Sequence, residues 1–279
     1  MIERVLFDIA ETRFVRTCVS LLNRLPCPGS RFPVKVYGHR MFAGKYDRYL
    51  SLWLRKFRLS ETLECKLVCE LCRPGMFVVD VGANIGFYSL LLARYVGPAG
   101  RVLAFEPDPE NFSMLKRNIE ANGYSNINPI NKAVGAVSTK DYLYLSDIHT
   151  GDHRTYPCDR RRTIPVEVVA LDDFLPREQR VDLIKIDIQG FEGKALEGMK
   201  RILRSHPEVT ILMEFWPKGL TQAGSVPEEV LDGLRTLGLK IEVCSERTGA
   251  LQAVEDPSKL VKSLVRNQYI NVLVSSARQ

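Results

Sequence analysis

The stretch FVVDVGANIGFY, residues 77–88, predicts the fold more strongly than any other part of the sequence. It begins with the short apolar run Phe77–Val81, which is typical of a parallel strand buried on both faces. Gly82 and Gly86 follow, and glycine permits the tight backbone conformations that a strand-to-helix turn requires. Apolar residues then continue over 85–95 with helical spacing. The stretch therefore predicts a strand, a glycine turn and a helix.

The same pattern repeats along the chain and predicts an α/β fold. After the first strand and helix, strands alternate with helices, and such alternation is typical of a doubly wound parallel sheet with right-handed connections. Residues 132–170 look like a β-rich insertion, in which alternating residues flank a polar loop at 146–163. Further predicted strands cover 32–37, 101–105, 127–130, 181–186, 209–213, 239–243 and 269–274, and predicted helices cover 46–57, 61–72, 109–122, 190–203 and 227–237.

Charge is distributed unevenly between two predicted regions. The chain has 279 residues and a net charge of +6, but residues 1–62 carry 12 basic and 5 acidic side chains. We therefore predict a basic, mostly helical N-terminal extension over 1–62, with helices within 2–25, and a catalytic domain over 63–279. The basic excess predicts a weak association of the extension with anionic membrane surfaces. Because neither a spanning segment nor a signal peptide is recognisable, we expect a cytoplasmic protein with reduced cysteines.

Two carboxylates are predicted to lie at neighbouring strand ends. Asp80 closes the first parallel strand and can pair with a cationic amino group. Glu106 closes the second strand and can accept hydrogen bonds from both hydroxyls of a ribose. The N-terminus of the helix after Gly86 adds the positive end of a dipole beside the same place. This edge of the sheet is where open α/β folds bind their ligands.

At this point the sequence resembles the FkbM-like family of class I S-adenosylmethionine (SAM)-dependent methyltransferases. The matching segments, in family order, are FVVDVGANIGFYSLLLA, GRVLAFEPDPENFSMLKRNI, NKAVG, VVALDDFL, VDLIKIDIQGFEGKALEGM and ILMEF. The resemblance covers roughly residues 66–245 and implies a Rossmann-like class I methyltransferase sheet, SAM as the cofactor and a methyl acceptor as the substrate. It implies that the methionine end of SAM is held by Asp80, Gly82, Asn84 and Gly86. Glu106 would hold the ribose, and Asn131 would lie near the adenine.

The resemblance further implies O-methylation of a hydroxyl on a sugar, a glycolipid or polysaccharide, or a secondary metabolite. A hydroxyl acceptor benefits from a general base. The candidates are Asp187 and Glu192, which close the fourth strand and open its helix, and His153 in the polar loop. Glu214, at the end of the fifth strand, is a further acid at this edge. Gln189 departs from the family pattern, in which an acid is common, so we assign it no proton-transfer role.

Other functions remain open from the sequence. A SAM-binding protein without transfer activity is one alternative. An NAD-dependent oxidoreductase is a second, although Asn84 stands where the dinucleotide motif requires its second glycine. The spacing of Cys65, Cys69 and Cys72 suits an iron–sulfur cluster but equally suits one face of a packed helix. No metal ligands are assigned, and nucleic acid is disfavoured as the substrate because the residues after the fourth strand lack the Asn/Asp-Pro-Pro-aromatic motif.

Overall fold

The computed structural model describes residues 32–44, 47–57, 62–245, 248–264 and 268–276. The strands are β1 (Val34–Val36), β2 (His39–Met41), β3 (Phe77–Val81), β4 (Arg101–Phe105), β5 (Ile127–Ile130), β6 (Ala133–Val134), β7 (Thr139–Leu145), β8 (Arg162–Val169), β9 (Leu183–Ile186), β10 (Thr210–Phe215), β11 (Leu239–Ser245), β12 (Ala250–Ala253) and β13 (Ile270–Ser276). The helices are α1 (Arg48–Phe57), α2 (Leu63–Leu71), α3 (Phe87–Val96), α4 (Pro109–Asn122), α5 (Leu171–Phe174), α6 (Glu192–Glu197), α7 (Lys200–Ser205), α8 (Pro217–Gln222), α9 (Pro227–Thr236) and α10 (Pro257–Ser263).

The central sheet has eight strands in the order β12-β11-β13-β10-β9-β3-β4-β5. Strands β10, β9, β3, β4 and β5 are parallel, and β13 inserts antiparallel between β10 and β11. The chain builds outward from β3 to β5 and then returns to β9 on the other side of β3. This arrangement confirms the predicted doubly wound fold, and it opens a crevice at the carboxyl ends of β3 and β9.

Local sequence signals explain why α4 has its predicted bounds. Asp108 precedes the helix, and its Oδ1 accepts hydrogen bonds from the amides of Glu110 and Asn111. Pro109 occupies the first turn, where no intrahelical amide donor is needed. Gly123 ends the helix in the left-handed conformation, with φ of 69°. The predicted strands 77–81, 101–105 and 127–130 also have their predicted bounds.

The single helix predicted over 190–203 is wrong, because the structure divides it into α6 and α7 around Gly198 and Met199. A Cβ built on Gly198 would stand 1.9 Å from the carbonyl oxygen of Gly135. The chain is therefore pressed against the insertion at this point, a tertiary contact that helical periodicity does not reveal. The helix predicted from residue 85 likewise begins later, at Phe87, because Gly86 precedes it with φ of 93°.

The predicted β-rich insertion forms a separate three-stranded sheet in the order β6-β8-β7. Side chains alternate between its faces: Val166 and Val168 are buried, whereas Tyr142 on the opposite face is exposed. A 3-10 turn, Thr150–Asp152, lies in the loop between β7 and β8. This loop folds over the carboxyl edge of the central sheet and contacts the glycine turn that follows β3.

Residues 34–44 and 47–54 pack on the face of the sheet that carries α3 and α4. Met41 and Leu54 belong to the same apolar cluster as Leu91 of α3, and Asn118 of α4 exchanges hydrogen bonds with the backbone of Phe42. The helices predicted within 2–25 lie outside the described residues, and the domain boundary at 62/63 stays a prediction. Among the residues that the structure describes, no helix is both long enough and apolar enough to cross a membrane.

Candidate functional site

The glycine turn after β3 is held by backbone contacts to its neighbours. The amides of Gly82 and Ala83 both donate to the carbonyl of Phe105 at the end of β4, at 3.0 and 2.9 Å. Gly82 has φ of 88°, and a Cβ there would stand 2.0 Å from the carbonyl oxygen of Asp187. Glycine is therefore required at this position, because any side chain would collide with the backbone of Asp187. The turn brings the ends of β3, β4 and β9 together.

Asp80 lies beneath this turn with no exposed surface. Its Oδ2 accepts a 2.6 Å hydrogen bond from Ser89 Oγ, whereas Oδ1 is buried and has no hydrogen-bond partner among the described residues. Burial raises the pKa of the Asp80 carboxyl, while Lys185 and the Ser89 hydrogen bond oppose that rise. An acceptor atom left without a donor in the interior is unfavourable by about 1–3 kcal/mol. The position thus suits a ligand that brings a donor group.

Glu106 is the carboxylate at the end of β4. Its Oε2 accepts from the amide of Asn84 at 2.8 Å and its Oε1 from the amide of Asp108 at 2.9 Å. Burial raises the pKa of Glu106 to about 8, against the lowering by those two amides. Asn131 is exposed beside it, and its amide group donates to the carbonyls of Glu106 and Pro107 at 2.8 and 3.0 Å. Glu106 and Asn131, both predicted to contact the cofactor, therefore lie together at the carboxyl end of β4.

Asp187 and Glu214 stand at the ends of β9 and β10, joined by Gln189. The Gln189 amide donates to Asp187 Oδ1 and to Glu214 Oε2, each at 3.0 Å. Burial, together with the charges of Asp187 and Glu192, raises the pKa of Glu214 well above its usual value. The Asp187 side chain is 37% exposed, whereas Glu214 is buried. Of these two acids, Asp187 is the one that a substrate can reach.

Glu192 is fully buried beneath the turn after β9. Its Oε1 accepts hydrogen bonds from the amides of Ile188 and Gly190, both at 3.1 Å. Burial raises the pKa of Glu192 to about 7, although those amides lower it. Because the carboxyl supports the backbone and has no exposed surface, this geometry favours a positioning role for Glu192 over the role of a base.

His153 is held by hydrogen bonds at both ring nitrogens. The amide of Ser146 donates to Nδ1 at 3.0 Å, so Nε2 carries the proton and donates to Asp108 Oδ2 at 3.1 Å. The pKa of Asp108 lies below its usual value, because the His153 contact and the amides at the start of α4 outweigh burial. With its one lone pair occupied, neutral His153 fastens the loop to the site, and this geometry does not favour the base role predicted for it.

The loop that carries His153 also contacts the glycine turn. Asn84, which has φ of 50°, donates from Nδ2 to the carbonyl of Thr150 at 3.3 Å. Tyr156 Oη donates to the carbonyl of Gln189 at 2.9 Å. The structure therefore brings all nine predicted site residues to one edge of the sheet, with Glu192 below it and His153 above it.

The sequence analysis missed one charged residue close to this edge, Lys185. Lys185 in β9 is 2% exposed, and its Nζ lies 3.5 Å from Asp187 Oδ2 and 3.9 Å from Glu64 Oε1. These carboxylates raise the pKa of Lys185 above its usual value, although burial alone would lower it. The sequence did contain a signal for it: a lysine inside an otherwise apolar strand that is predicted to be buried. Lysine is almost never fully buried without a partner, so such a position indicates nearby charges.

Residues 80–240 match the FkbM methyltransferase domain. The chain belongs to the FkbM methyltransferase family. Membership confirms the predicted family, and it makes the matched region a SAM-dependent methyltransferase domain. The matched region begins at Asp80 and includes all the residues that were predicted to hold the cofactor.

Three relatives show how far the similarity extends. Methyltransferase 1 of Beauveria bassiana is 30% identical over 145 residues, which cover 44% of this chain and 58% of that protein. Methyltransferase sdnD of Sordaria araneosa is 28% identical over 182 residues, 52% of this chain and 68% of that protein. Hexuronic acid methyltransferase AglP of Haloferax volcanii is 21% identical over 157 residues, 56% of this chain and 63% of that protein. The chain therefore spans less than two thirds of the first and third of these proteins.

Proposed function

We propose that this FkbM-family chain transfers the methyl group of SAM to a hydroxyl oxygen, with Asp187 as the general base. The observation that carries the proposal is the exposure of Asp187. Its side chain is 37% exposed at the carboxyl end of β9, whereas Glu192 and Glu214 nearby are buried. A half-exposed carboxylate in a crevice beside the cofactor turn can reach a hydroxyl that enters from solvent.

The residues present fit SAM. The buried Oδ1 of Asp80 lacks a donor among the described residues, and the amino group of the methionine end would supply one. Glu106, whose two oxygens each accept one amide, keeps lone pairs for the ribose hydroxyls. Gly82, Asn84 and Gly86 would form the turn beside the methionine end, and Asn131 would lie at the adenine side. These assignments follow from position at the carboxyl edge of the sheet.

In the proposed reaction, SAM supplies a methyl group already activated by its sulfonium. Asp187 accepts the proton of the acceptor hydroxyl as the oxygen forms its bond to the methyl carbon. Transfer would break the carbon–sulfur bond of SAM and leave its electron pair on sulfur, giving S-adenosylhomocysteine (SAH). Gln189 donates to Asp187 Oδ1 and so fixes the orientation of the carboxylate. Lys185 lies beside the other oxygen, Oδ2, at 3.5 Å. Proton transfer of this kind contributes about 10²–10⁴-fold to a rate.

For the acceptor, we propose a hydroxyl on a sugar, a glycolipid or polysaccharide, or a secondary metabolite. The name of the distant relative AglP supports the sugar class, because it describes methylation of a hexuronic acid. The loop over the site adds Arg154, which pairs with Asp152 and lies over the Trp216 ring at 4.9 Å. An arginine on an aromatic face beside the crevice suits an acceptor that combines polar groups with a flat ring surface.

The proposal is tested with SAM that carries a carbon-13 methyl group. The protein is incubated with a panel of uronic acids, neutral glycans and hydroxylated metabolites, and products are followed by NMR. We expect a methoxy signal on one class of acceptor. Asp187→Asn should lower the rate by about 100-fold or more while SAH binding persists. Glu167→Gln, at an exposed acid of the insertion, is the control and should keep the rate. A methyl group on nitrogen, on carbon or on a carboxylate oxygen as an ester, or full activity of Asp187→Asn, would contradict the proposal.

A further inference from the structure

Lys185 is the buried cation of the functional edge. Its Nζ lies 4.2 Å from the centre of the Tyr88 ring of α3, in addition to its contacts with Asp187 and Glu64. Burying an ammonium group is unfavourable unless charges or hydrogen bonds compensate it. The surrounding carboxylates provide that compensation, so the ammonium stays charged inside the sheet.

Asp80 is the neighbour of Lys185 across the sheet. The two residues are register partners on the adjacent parallel strands β3 and β9, so their side chains leave the sheet on the same face. That face also carries Glu214 on β10 and Asp187 at the end of β9. Glu64 from α2 and Tyr88 from α3 cover it. Four carboxyl groups therefore surround one ammonium group.

The charge on Asp80 is consequently a balance between opposing effects. Burial favours the neutral acid, and the nearby charge of Asp187 acts in the same direction. Lys185 and the hydrogen bond from Ser89 act against both and favour the carboxylate. Of these two, Lys185 is the one that carries a full charge.

We propose that Lys185 is a positioning residue for the cofactor, because its buried ammonium keeps Asp80 ionised and able to receive the amino group of SAM or SAH. The inference rests on the role proposed above for Asp80. An ionised carboxylate accepts from an ammonium group in a charge-assisted hydrogen bond, roughly twice as strong as a neutral one. A protonated Asp80 presents a weaker acceptor and a competing donor. Lys185 thus acts on the cofactor through Asp80 and without contact of its own.

Calorimetric titration of SAH between about pH 5.5 and 8.5 tests this, and it needs no acceptor. SAH binding is expected to weaken below a certain pH, at which Asp80 takes up a proton. In Lys185→Met, which lacks the ammonium group, that pH should be higher by about one unit. Binding should then be about tenfold weaker at the acidic end of this range and close to that of the unsubstituted protein at the alkaline end. Lys185→Arg, which keeps the charge, should restore the original pH profile. A merely structural role would weaken binding equally at every pH.

Glu64→Gln is the variant to compare with Lys185→Met, because Glu64 contacts the same ammonium group. It removes one of the carboxylates that compete for Lys185, 3.9 Å from Nζ. The pH below which SAH binding weakens should therefore move downward, opposite to the effect of Lys185→Met. This variant keeps the inference testable even if Lys185→Met fails to fold, because its predicted sign is specific.

Parallel pH profiles for all the variants, or an upward shift for Glu64→Gln, would overturn the role of Lys185. Both results would leave the proposed methyl transfer untouched, because the titration involves no acceptor. Absence of SAH binding to the unsubstituted protein would overturn the cofactor assignment, and the role of Lys185 with it. Normal SAH binding with the predicted shifts but no transfer to any hydroxyl would support Lys185 and contradict only the proposed reaction.

Discussion

The carbonyl oxygen of Asp187 occupies the space into which a side chain on Gly82 would project, 2.0 Å from the position of its Cβ. The glycine turn proposed to face the cofactor and the strand end that carries the proposed base are therefore in direct backbone contact. A change on one side of this contact displaces the other, and the first prediction follows from it.

Gly82→Ala should destabilise the protein much more than Gly75→Ala does. The two glycines have nearly the same φ, 88° and 87°, but a Cβ on Gly75 would meet nothing within 4 Å. Gly75→Ala should therefore cost only the backbone strain of about 1–2 kcal/mol. Gly82→Ala should cost at least about 2 kcal/mol more, because the backbone of Asp187 must move. Urea unfolding of the two variants measures the difference, and equal losses would contradict the contact.

Glu106 should make the folded protein less stable as the pH rises. Its pKa is raised from 4.5 to about 8, so the unfolded chain releases this proton at a lower pH than the folded chain does. The stabilisation from the protonated form is complete below about pH 4.5 and is lost as the pH rises through about 8. Glu106→Gln should therefore flatten the decline in unfolding free energy between about pH 5 and 8.

The control for that measurement is Glu167→Gln. Glu167 is exposed and its pKa is lowered by Lys132, so it titrates below this pH window. Urea unfolding at the two ends of the window should give the same difference for Glu167→Gln as for the unsubstituted protein. A decline that is unchanged in Glu106→Gln would show that Glu106 is ionised throughout the window.

His153→Asn should lower the turnover far less than Asp187→Asn does. Both nitrogens of His153 are already occupied, by the Ser146 amide and by Asp108. Its loss should loosen the loop and reduce stability by about 1 kcal/mol, with less than a tenfold effect on turnover. Thermal unfolding and single-turnover rates of the two variants separate these effects. A loss of 100-fold or more in a folded His153→Asn protein would return the base role to His153.

Seven of the eight strands of the central sheet were predictable because their signals are local, whereas the edge strand β12 was missed. Each of the seven is a short apolar run bounded by turn residues, and Asp108 and Gly123 mark the two ends of α4. The break at Gly198 was not predictable, because it arises from a contact with Gly135, which lies far away in the sequence. The short helix α5 was missed for a related reason: its four residues are too few for helical periodicity.

The site was predictable in position but not in the role of each group. Strand ends gave the places of Asp80, Glu106 and Asp187, since parallel strands share one carboxyl edge. Burial, however, is a property of the folded chain, and it is burial that separates the exposed Asp187 from the enclosed Glu192. The two partners of His153, Ser146 in its own loop and Asp108 before α4, likewise reach it only in the folded chain.

Binding of SAH to the unsubstituted protein and to Asp80→Asn, measured by calorimetry, tests the central claim most directly. Asparagine keeps the shape of the side chain but loses the charge that is proposed to hold the cofactor. Ser89→Ala is the second variant, because it removes only the 2.6 Å hydrogen bond to Asp80 Oδ2 and leaves the carboxylate in place. We predict binding of SAH and not of NADH to the unsubstituted protein, a loss of about tenfold or more in Asp80→Asn, and a smaller loss in Ser89→Ala. Equal SAH binding by all three proteins, or binding of NADH in place of SAH, would contradict the account.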